Sequence, residues 1–362
     1  MIPQIGILTN SSNIRRILIV RFGSMGDIIH SLPALATLKE NFPQWEIDWL
    51  IESRWRPLLE GNPDLHRIVE LDTLVWRRRL LSDETWIAFR QRIRELRERR
   101  YDCALDLQGS LKSAVACRLS GASEVIGFDS PWVKEAAGSV LYTRRVATRA
   151  VHAVEANLAL AAALGARHPV IRFPLPAGEP DQLPAGFPRD NIAVLNPGAG
   201  WRSKCWPAAS YGQVADALEK EIGFRVVLNC GPGEETLAAE VQAVCRTAKP
   251  LLYGGGLLGL IALLRRSRLM VGSDTGPSHL AAALGVPTVA LFGPTDPQRN
   301  GPYGERTKSL RPDNAPTSYQ HSAMPAEVMS RISPEEVLSA IRELLAVESE
   351  IVRDKQVFIE SR

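Results

Sequence analysis

The chain has no apolar run approaching the ~20 residues that span a bilayer. A transmembrane helix is therefore not expected. Its cysteines (Cys103, Cys117, Cys205, Cys230 and Cys245) are scattered, odd in number and without metal-type spacing. That excludes a disulfide framework and points to free thiols in a reducing cytoplasm. The six histidines lie far apart and there is no strict Asp-x-Asp, so no metal site is expected. Lone residues such as His66 and His168 read as surface or packing histidines. No Gly-x-Ser-x-Gly elbow occurs. Charge of one sign is also scarce. The formal net charge is +3 and the pI about 8.6, which demands no nucleic acid or membrane partner yet suits an anionic substrate. The opening "MIPQIGILTNSS" lacks the basic and long apolar parts of a signal peptide and reads as a loose leader, residues 1–14.

What is present is an ordinary globular composition, 45% hydrophobic and 23% charged over 362 residues. That is enough for about two domains. Apolar runs recur, each with a helix-like segment behind it. "RILIV" leads to "MGDIIHSLPALATLKENFP", "EIDWLI" to "RWRPLLEGNP", and "CALDL" to "SLKSAVACRLSG" before "EVIGF". Continuous apolar strands alternating with helices predict parallel sheets covered on both faces. Residues 173–190 are rich in Pro and Gly without periodicity and contain the expected linker, 179–190. The alternation restarts with "NIAVLNPG", "RVVLNCG", "LMVGSD" and "TVALFG", and "SPEEVLSAIRELLAVE" has the start of a capped amphipathic helix. The expected plan is α/β: a Rossmann-like domain over 15–178, a second over 191–345, and a tail from 346 to 362. Ligands are expected beyond the carboxyl ends of the strands and between the two sheets.

"VGSDTGPSHLAAALGVPTVALFGPTDP" (271–297) carries the strongest local signal. A strand ends near Asp274, Thr275 and Gly276 follow, Pro277 opens a helix and His279 falls in its first turn. Free N–H groups and the helix dipole make an anion site there; a plain helix cap with an incidental histidine is the alternative. In "NPGAGWRSKCWP" (196–207) a small-residue turn precedes Lys204, a set suited to phosphate oxygens, or else a solvated lysine in a Gly-rich turn. In "NCGPGEE", Glu234 is placed either to accept from a ribose or to favour a helix start. "GGGLLG" (254–259) matches G-x-G-x-x-G but follows only a three-residue apolar run, so a helix-entry loop accounts for it better. In 76–100, Trp86, Phe89, Ile93 and Leu96 recur at helical spacing and predict one apolar face. Arg77, Arg78 and Arg79 precede that helix, as a solvated run or a grip on an acidic substrate. In "FGSMGDIIHSLP" (22–33), two glycines and a carboxylate follow the first strand. Asp27 is either a helix cap or a catalytic group.

Taken together, "ILIVRFGSMGDIIHSLPAL", "YDCALDLQGSLKSA", "HAVEANLALAAALG", "NPGAGWRSKCWP" and "GSDTGPSHLAAALGVPTVALFGPTDP" resemble the family 9 glycosyltransferases, the ADP-heptose:lipopolysaccharide heptosyltransferases, over about residues 15–345. The second segment is similar to that of the type that adds the first heptose to Kdo on lipid A. The resemblance implies a GT-B fold, with acceptor in the N-terminal half and nucleotide-sugar in the C-terminal half. It implies inverting transfer from ADP-heptose with no metal or other cofactor, at the inner face of the cytoplasmic membrane, since the acceptor is an anionic lipid. Asp27 then falls on the general base and Lys204 on the diphosphate-contacting lysine. Asp274, Thr275, Gly276 and His279 fall on the donor motif, with Gly198, Gly200 and Glu234 beside it. Ser24, Met25, Gly26, Arg77, Arg78, Arg79, Lys134 and His152 fall on the acceptor side. The Gly-Ala-Gly before Lys204 departs from relatives that carry hydroxyl residues there. Rival readings are a family 9 transferase adding a later heptose or another sugar, a non-catalytic nucleotide-sugar-binding module, and, further off, a Rossmann oxidoreductase.

Overall fold

The structure, a computed structural model, describes residues 16–73, 82–129, 132–318 and 326–346. The chain forms two compact units that divide between Pro176 and Ala177.

The first unit contains β1 (Arg16–Val20), β2 (Glu46–Ile51), β3 (Arg67–Glu70), β4 (Cys103–Asp106), β5 (Glu124–Phe128) and β6 (Arg144–Val146). They form one parallel sheet in the order β3-β2-β1-β4-β5-β6. Ile17, Leu18, Ile19 and Val20 are all fully buried. That is why β1 is a continuous apolar run: helices cover both of its faces. On one face Leu18 and Val20 join Ile93 and Leu96 of the helix Asp83–Glu98 and Ala114 and Cys117 of the helix Leu111–Leu119. The helices Met25–Asn41 and Ala153–Ala163 pack on each other, and Asn157 donates to the His30 carbonyl at 3.0 Å across that contact.

The second unit repeats the plan with β7 (Ile192–Asn196), β8 (Arg225–Asn229), β9 (Leu251–Tyr253), β10 (Ser267–Ser273), β11 (Thr288–Leu291) and β12 (Thr307–Leu310). Its parallel order is β12-β11-β10-β7-β8-β9. Counted within its own unit, this is the same arrangement as the first sheet, a doubly wound sheet whose order reverses between its first and fourth strands. In each unit the crevice at the carboxyl ends of those two strands is the default ligand position. The helix over 334–346 starts at a reciprocal cap: Ser333 N–H donates to Glu336 at 2.7 Å and Glu336 N–H to Ser333 Oγ at 3.2 Å. It buries Val337, Ile341 and Leu344 in the second core. Residues 178–182, within the Pro-rich stretch, lie against the helix Leu257–Arg266. Glu179 N–H donates to the Leu258 carbonyl at 3.0 Å, and Gln182 accepts from Gly259 N–H at 3.1 Å.

Two local expectations are corrected. "RWRPLLEGNP" forms a short 3-10 helix, Ser53–Leu58, rather than an α-helix; Pro57 has no N–H to continue an α-helical ladder. On the helix Asp83–Glu98 only Ile93 and Leu96 are buried, while Trp86 is 47% exposed. The apolar stripe is thus covered only along the second half of the helix. Among the described residues no helix is long and apolar enough to cross a membrane.

Candidate active site

In the first unit the chain leaves β1 through Arg21, Phe22, Gly23 and Ser24 and enters the helix Met25–Asn41. Asp27 is the third helical residue and closes a capping box. It accepts from Ser24 N–H at 3.2 Å and Ser24 Oγ at 3.3 Å. The capping reading is therefore correct, and it does not exhaust what the carboxylate does. Arg21 Nη2 lies 2.6 Å from Asp27 Oδ1, and Lys134 Nζ lies 3.3 Å from Oδ2. Burial pushes this carboxyl up. Arg21, Lys134 and His30, together with the Ser24 amide, outweigh that and hold it well below the usual carboxylate range. Ser24 is exposed, Met25 half-buried and Gly26 buried in the same turn.

The loop after β4 is hydrogen-bonded to the β1 loop. Asp106 is fully buried and accepts from Gln108 N–H (2.8 Å), Gly109 N–H (3.0 Å), Ser113 Oγ (2.8 Å) and the Tyr142 hydroxyl (2.7 Å). Burial pushes its carboxyl up against those hydrogen bonds. Gln108 accepts from Phe22 N–H at 2.8 Å, and the Gly109 carbonyl accepts from Lys134 N–H at 2.8 Å. The "DLQG" segment thus ties the β1 loop to the segment carrying Lys134. Tyr142→Phe should leave the buried Asp106 one donor short and lower stability by about 1–3 kcal/mol. The midpoint of thermal unfolding checks this, and an unchanged midpoint would count against the hub.

Phe22, Gln108, Lys112 and Lys134 border a cavity of about 770 Å³, otherwise lined mainly by apolar side chains such as Leu71, Ile93 and Leu119. Lys112 Nζ donates to Thr73 Oγ1 at 2.9 Å and sits 4.8 Å from the Phe22 ring centroid. His152 caps the helix Ala153–Ala163 by accepting from Val154 N–H at 3.1 Å, and its ring meets His30 edge-on at 5.1 Å. Arg77, Arg78 and Arg79 lie outside the described residues.

In the second unit the loops after β7 and β10 meet. Asp274 directly follows β10 and is 8% exposed. Its carboxylate takes Lys204 Nζ at 2.5 Å, Thr295 Oγ1 at 2.6 Å and His279 Nε2 at 3.2 Å. Burial would raise this carboxyl; the His279 hydrogen bond and the Lys204 charge hold it well below the usual range. Asp274 is therefore an organiser of donors around a single point. Lys204 also lies 4.8 Å from the Trp201 ring centroid. Thr275 is the N-cap of the helix Gly276–Ala283 but makes no side-chain cap, and its hydroxyl donates backward to the Ser273 carbonyl at 3.3 Å. The end of that helix keeps its dipole available to an anion.

Glu234 accepts from Gly231 N–H at 2.8 Å and packs on Gly198, where a Cβ would sit 2.0 Å from its carboxylate. Gly198 is thus required by close approach. Gly200 is exposed, with open space around it. Asn229 Nδ2 donates to Asn196 Oδ1 at 2.5 Å, and Asn196 Nδ2 to the Gly198 carbonyl at 2.8 Å. Sequence reasoning missed Arg21, His30, Thr295 and this asparagine pair. Their signals were present: an arginine directly after a buried strand, and an Asn before a Gly-containing loop at the end of both β7 and β8. Among the described residues no group of three His, Cys, Asp or Glu side chains could hold a metal ion.

The lipopolysaccharide heptosyltransferase 1 of Pseudomonas aeruginosa is 33% identical over 311 residues, 82% of this chain and 84% of that protein. A lipopolysaccharide heptosyltransferase 3 of Escherichia coli is 30% identical over 285 residues, 75% of this chain and 81% of that protein. Among solved structures, E. coli heptosyltransferase WaaC with ADP superposes with a TM-score of 0.77 at 27% identity, covering 91% of this chain and 99% of that one. The same enzyme with ADP-2-deoxy-2-fluoro heptose gives 0.72 at 26%, with the same coverage. The two parallel six-stranded sheets are those of a GT-B enzyme. The model of glycosyltransferase family 9 (heptosyltransferase) matches residues 89–327, and the chain belongs to that family of glycosyl-transferring enzymes.

Proposed function

We propose that this enzyme moves a heptose from ADP-heptose to the Kdo region of the lipopolysaccharide inner core on lipid A, with inversion and without a metal. Asp27 serves as the general base. The observation that carries the donor half is the convergence of Lys204, His279 and the open helix end around Asp274. Lys204 supplies a cation, His279 a ring N–H and the helix end its dipole where negative charge builds on a departing diphosphate. The ligands of the WaaC structures, ADP and a fluorinated ADP-heptose, support this choice of donor. On the acceptor side, Lys134 and Lys112 line a largely apolar cavity and Lys134 also contacts Asp27, a combination suited to an amphipathic anion.

The chemistry follows from these groups. The acceptor hydroxyl gives its proton to the Asp27 carboxylate as its oxygen bonds to the anomeric carbon. The bond from that carbon to the diphosphate oxygen breaks on the opposite face, and its electron pair leaves with ADP. Lys204 and the backbone at Thr275 and Gly276 offset the charge that builds on the leaving group. Peripheral association with the inner face of the cytoplasmic membrane would follow from a lipid acceptor.

Mass spectrometry of Kdo-lipid A incubated with ADP-heptose tests the assignment. A product heavier by one heptose is expected; no product under conditions where ADP binds would sink it. The 30% identical heptosyltransferase 3 keeps a second reading in play, transfer to an acceptor that already carries heptose. Greater turnover on that acceptor would favour it. Glu234 is assigned to the nucleoside end of the donor. Gly198→Ala should displace its carboxylate, so both Gly198→Ala and Glu234→Ala should weaken ADP binding in calorimetry. The double variant should be little worse than either single one; additive losses would separate the two residues.

A further inference from the structure

We propose that Lys134 is a positioning residue which the acceptor's own acid group draws away from Asp27, so that an anionic acceptor strengthens the base that will deprotonate it. This rests on the reading of Asp27 as base and of the acceptor as an acid. The two oxygens of Asp27 are held unequally. Oδ1 is gripped by Arg21, whose side chain is 7% exposed and whose other terminal nitrogen donates to the Leu107 carbonyl. That contact is fixed by the fold. Oδ2 meets Lys134 at 3.3 Å, and the Lys134 side chain is 51% exposed. Its backbone is pinned to Gly109, but its four-carbon stem reaches Asp27 from outside. A pair this exposed is weak, so a competing anion can take the ammonium.

The competition has a place to occur. Lys134 borders both Asp27 and the cavity, where Lys112 supplies a second cation. Among the described residues, the charged and titratable groups facing Asp27 are Arg21 from the β1 loop, Lys134 from the segment after β5 and His30 one turn along its own helix; the ring edge of His152 meets His30. Among these described groups, Lys134 is the cation that the cavity shares. When it turns to an acceptor carboxylate, one ion pair replaces another and no covalent bond changes. Asp27 keeps Arg21 and the Ser24 cap, loses one neighbouring positive charge, and gains proton affinity. Without an acceptor the carboxylate stays quenched. The pairing thus links recognition of an acid to the strength of the base.

A four-way comparison tests this: wild type and Lys134→Met, each with the Kdo-lipid A acceptor and with its Kdo carboxyl methyl ester. In the wild type, esterification should lower kcat at saturating acceptor about two- to threefold, since losing one weak ion pair shifts the base by less than one pK unit and only part of that reaches the rate. In Lys134→Met, kcat should be the same for acid and ester, and KM should be raised. The acid limb of kcat should lie at higher pH than that of kcat/KM in the wild type, and the two limbs should coincide in the variant. If esterification changes only KM in the wild type, Lys134 merely binds the acceptor and the proposal fails. If kcat of the variant still falls on esterification, another cation carries the effect and the proposal fails equally. Asp27→Asn in the same assay separates the premises. An inactive Asp27→Asn with a KM-only ester effect overturns the Lys134 role alone, whereas an active Asp27→Asn overturns the base itself.

Discussion

Asp27→Asn is expected to bind ADP normally and to lose transfer by about 10²–10⁴-fold, the usual contribution of a positioned general base. Asparagine is nearly the same shape, and its oxygen can still accept from the Ser24 amide. The capping box should therefore survive with a cost near 1 kcal/mol. What disappears is the anion between Arg21 and Lys134. Calorimetric ADP affinity and far-UV circular dichroism should match the wild type, because the assigned donor contacts belong to the second unit. Near-normal turnover would remove Asp27 from the mechanism and leave it a helix cap. The cations also fix the pH behaviour. Asp27 is held below its ordinary range, so the base is ionised throughout neutral pH, and its contribution to folding is present above the unfolded carboxylate pKa of about 4 and fades as pH falls below that. Arg21 is the residue to alter for a structural contrast. Arg21→Met should lower stability by leaving Asp27 without its fixed partner, but it keeps the carboxylate that Asp27→Asn removes.

The division between what was legible and what was not follows burial. β1, β2, β4, β5, β7, β8, β10 and β11 hold buried apolar residues on both faces and stand out as continuous runs. β3, β6, β9 and β12 do not, and these are the four edges of the two sheets. Their burial is partial: β12 has no buried residue, and β6 and β9 have one each. A strand covered on one side and three or four residues long gives periodicity nothing to detect. The site divides similarly. Asp27, Lys204, Asp274 and His279 could be singled out because each follows an apolar strand at a turn. Residue type alone could not show that Asp274 faces a lysine, a threonine and a histidine rather than the ligand. Nor could it bring Lys134 to Asp27, since their segments are held together by the Gly109 and Gln108 contacts of a loop from a third strand. Lys134 entered through family resemblance; its pairing with Asp27 entered through the fold.

Lys204→Ala is expected to weaken ADP binding about 10- to 100-fold and to slow transfer as well. One charged hydrogen bond to a phosphate is worth roughly 1.5–3 kcal/mol. Removing this lysine does more than delete a donor, because Asp274 remains, buried and anionic, beside the place assigned to the diphosphate. His279 and Thr295 still hold that carboxylate, but its negative charge would then face the ligand uncompensated. Breaking one half of a buried ion pair costs about 3–5 kcal/mol of stability when the survivor stays charged. The low folded pKa of Asp274 means the wild-type pair stabilises the fold above the unfolded carboxylate pKa, with that stabilisation lost as pH falls. Lys204→Ala should therefore show its deficit at neutral pH and approach the wild type in acid. Adding Asp274→Asn should restore part of the lost stability by removing the unpaired charge, while ADP binding stays weak because the cation is still missing. Calorimetric affinity and thermal midpoints of the two singles and the double, at neutral and acid pH, measure each step. Unchanged affinity in Lys204→Ala would take the lysine off the diphosphate. Recovery of affinity in the double variant would show that Asp274 repulsion, rather than loss of the lysine's own bond, set the deficit.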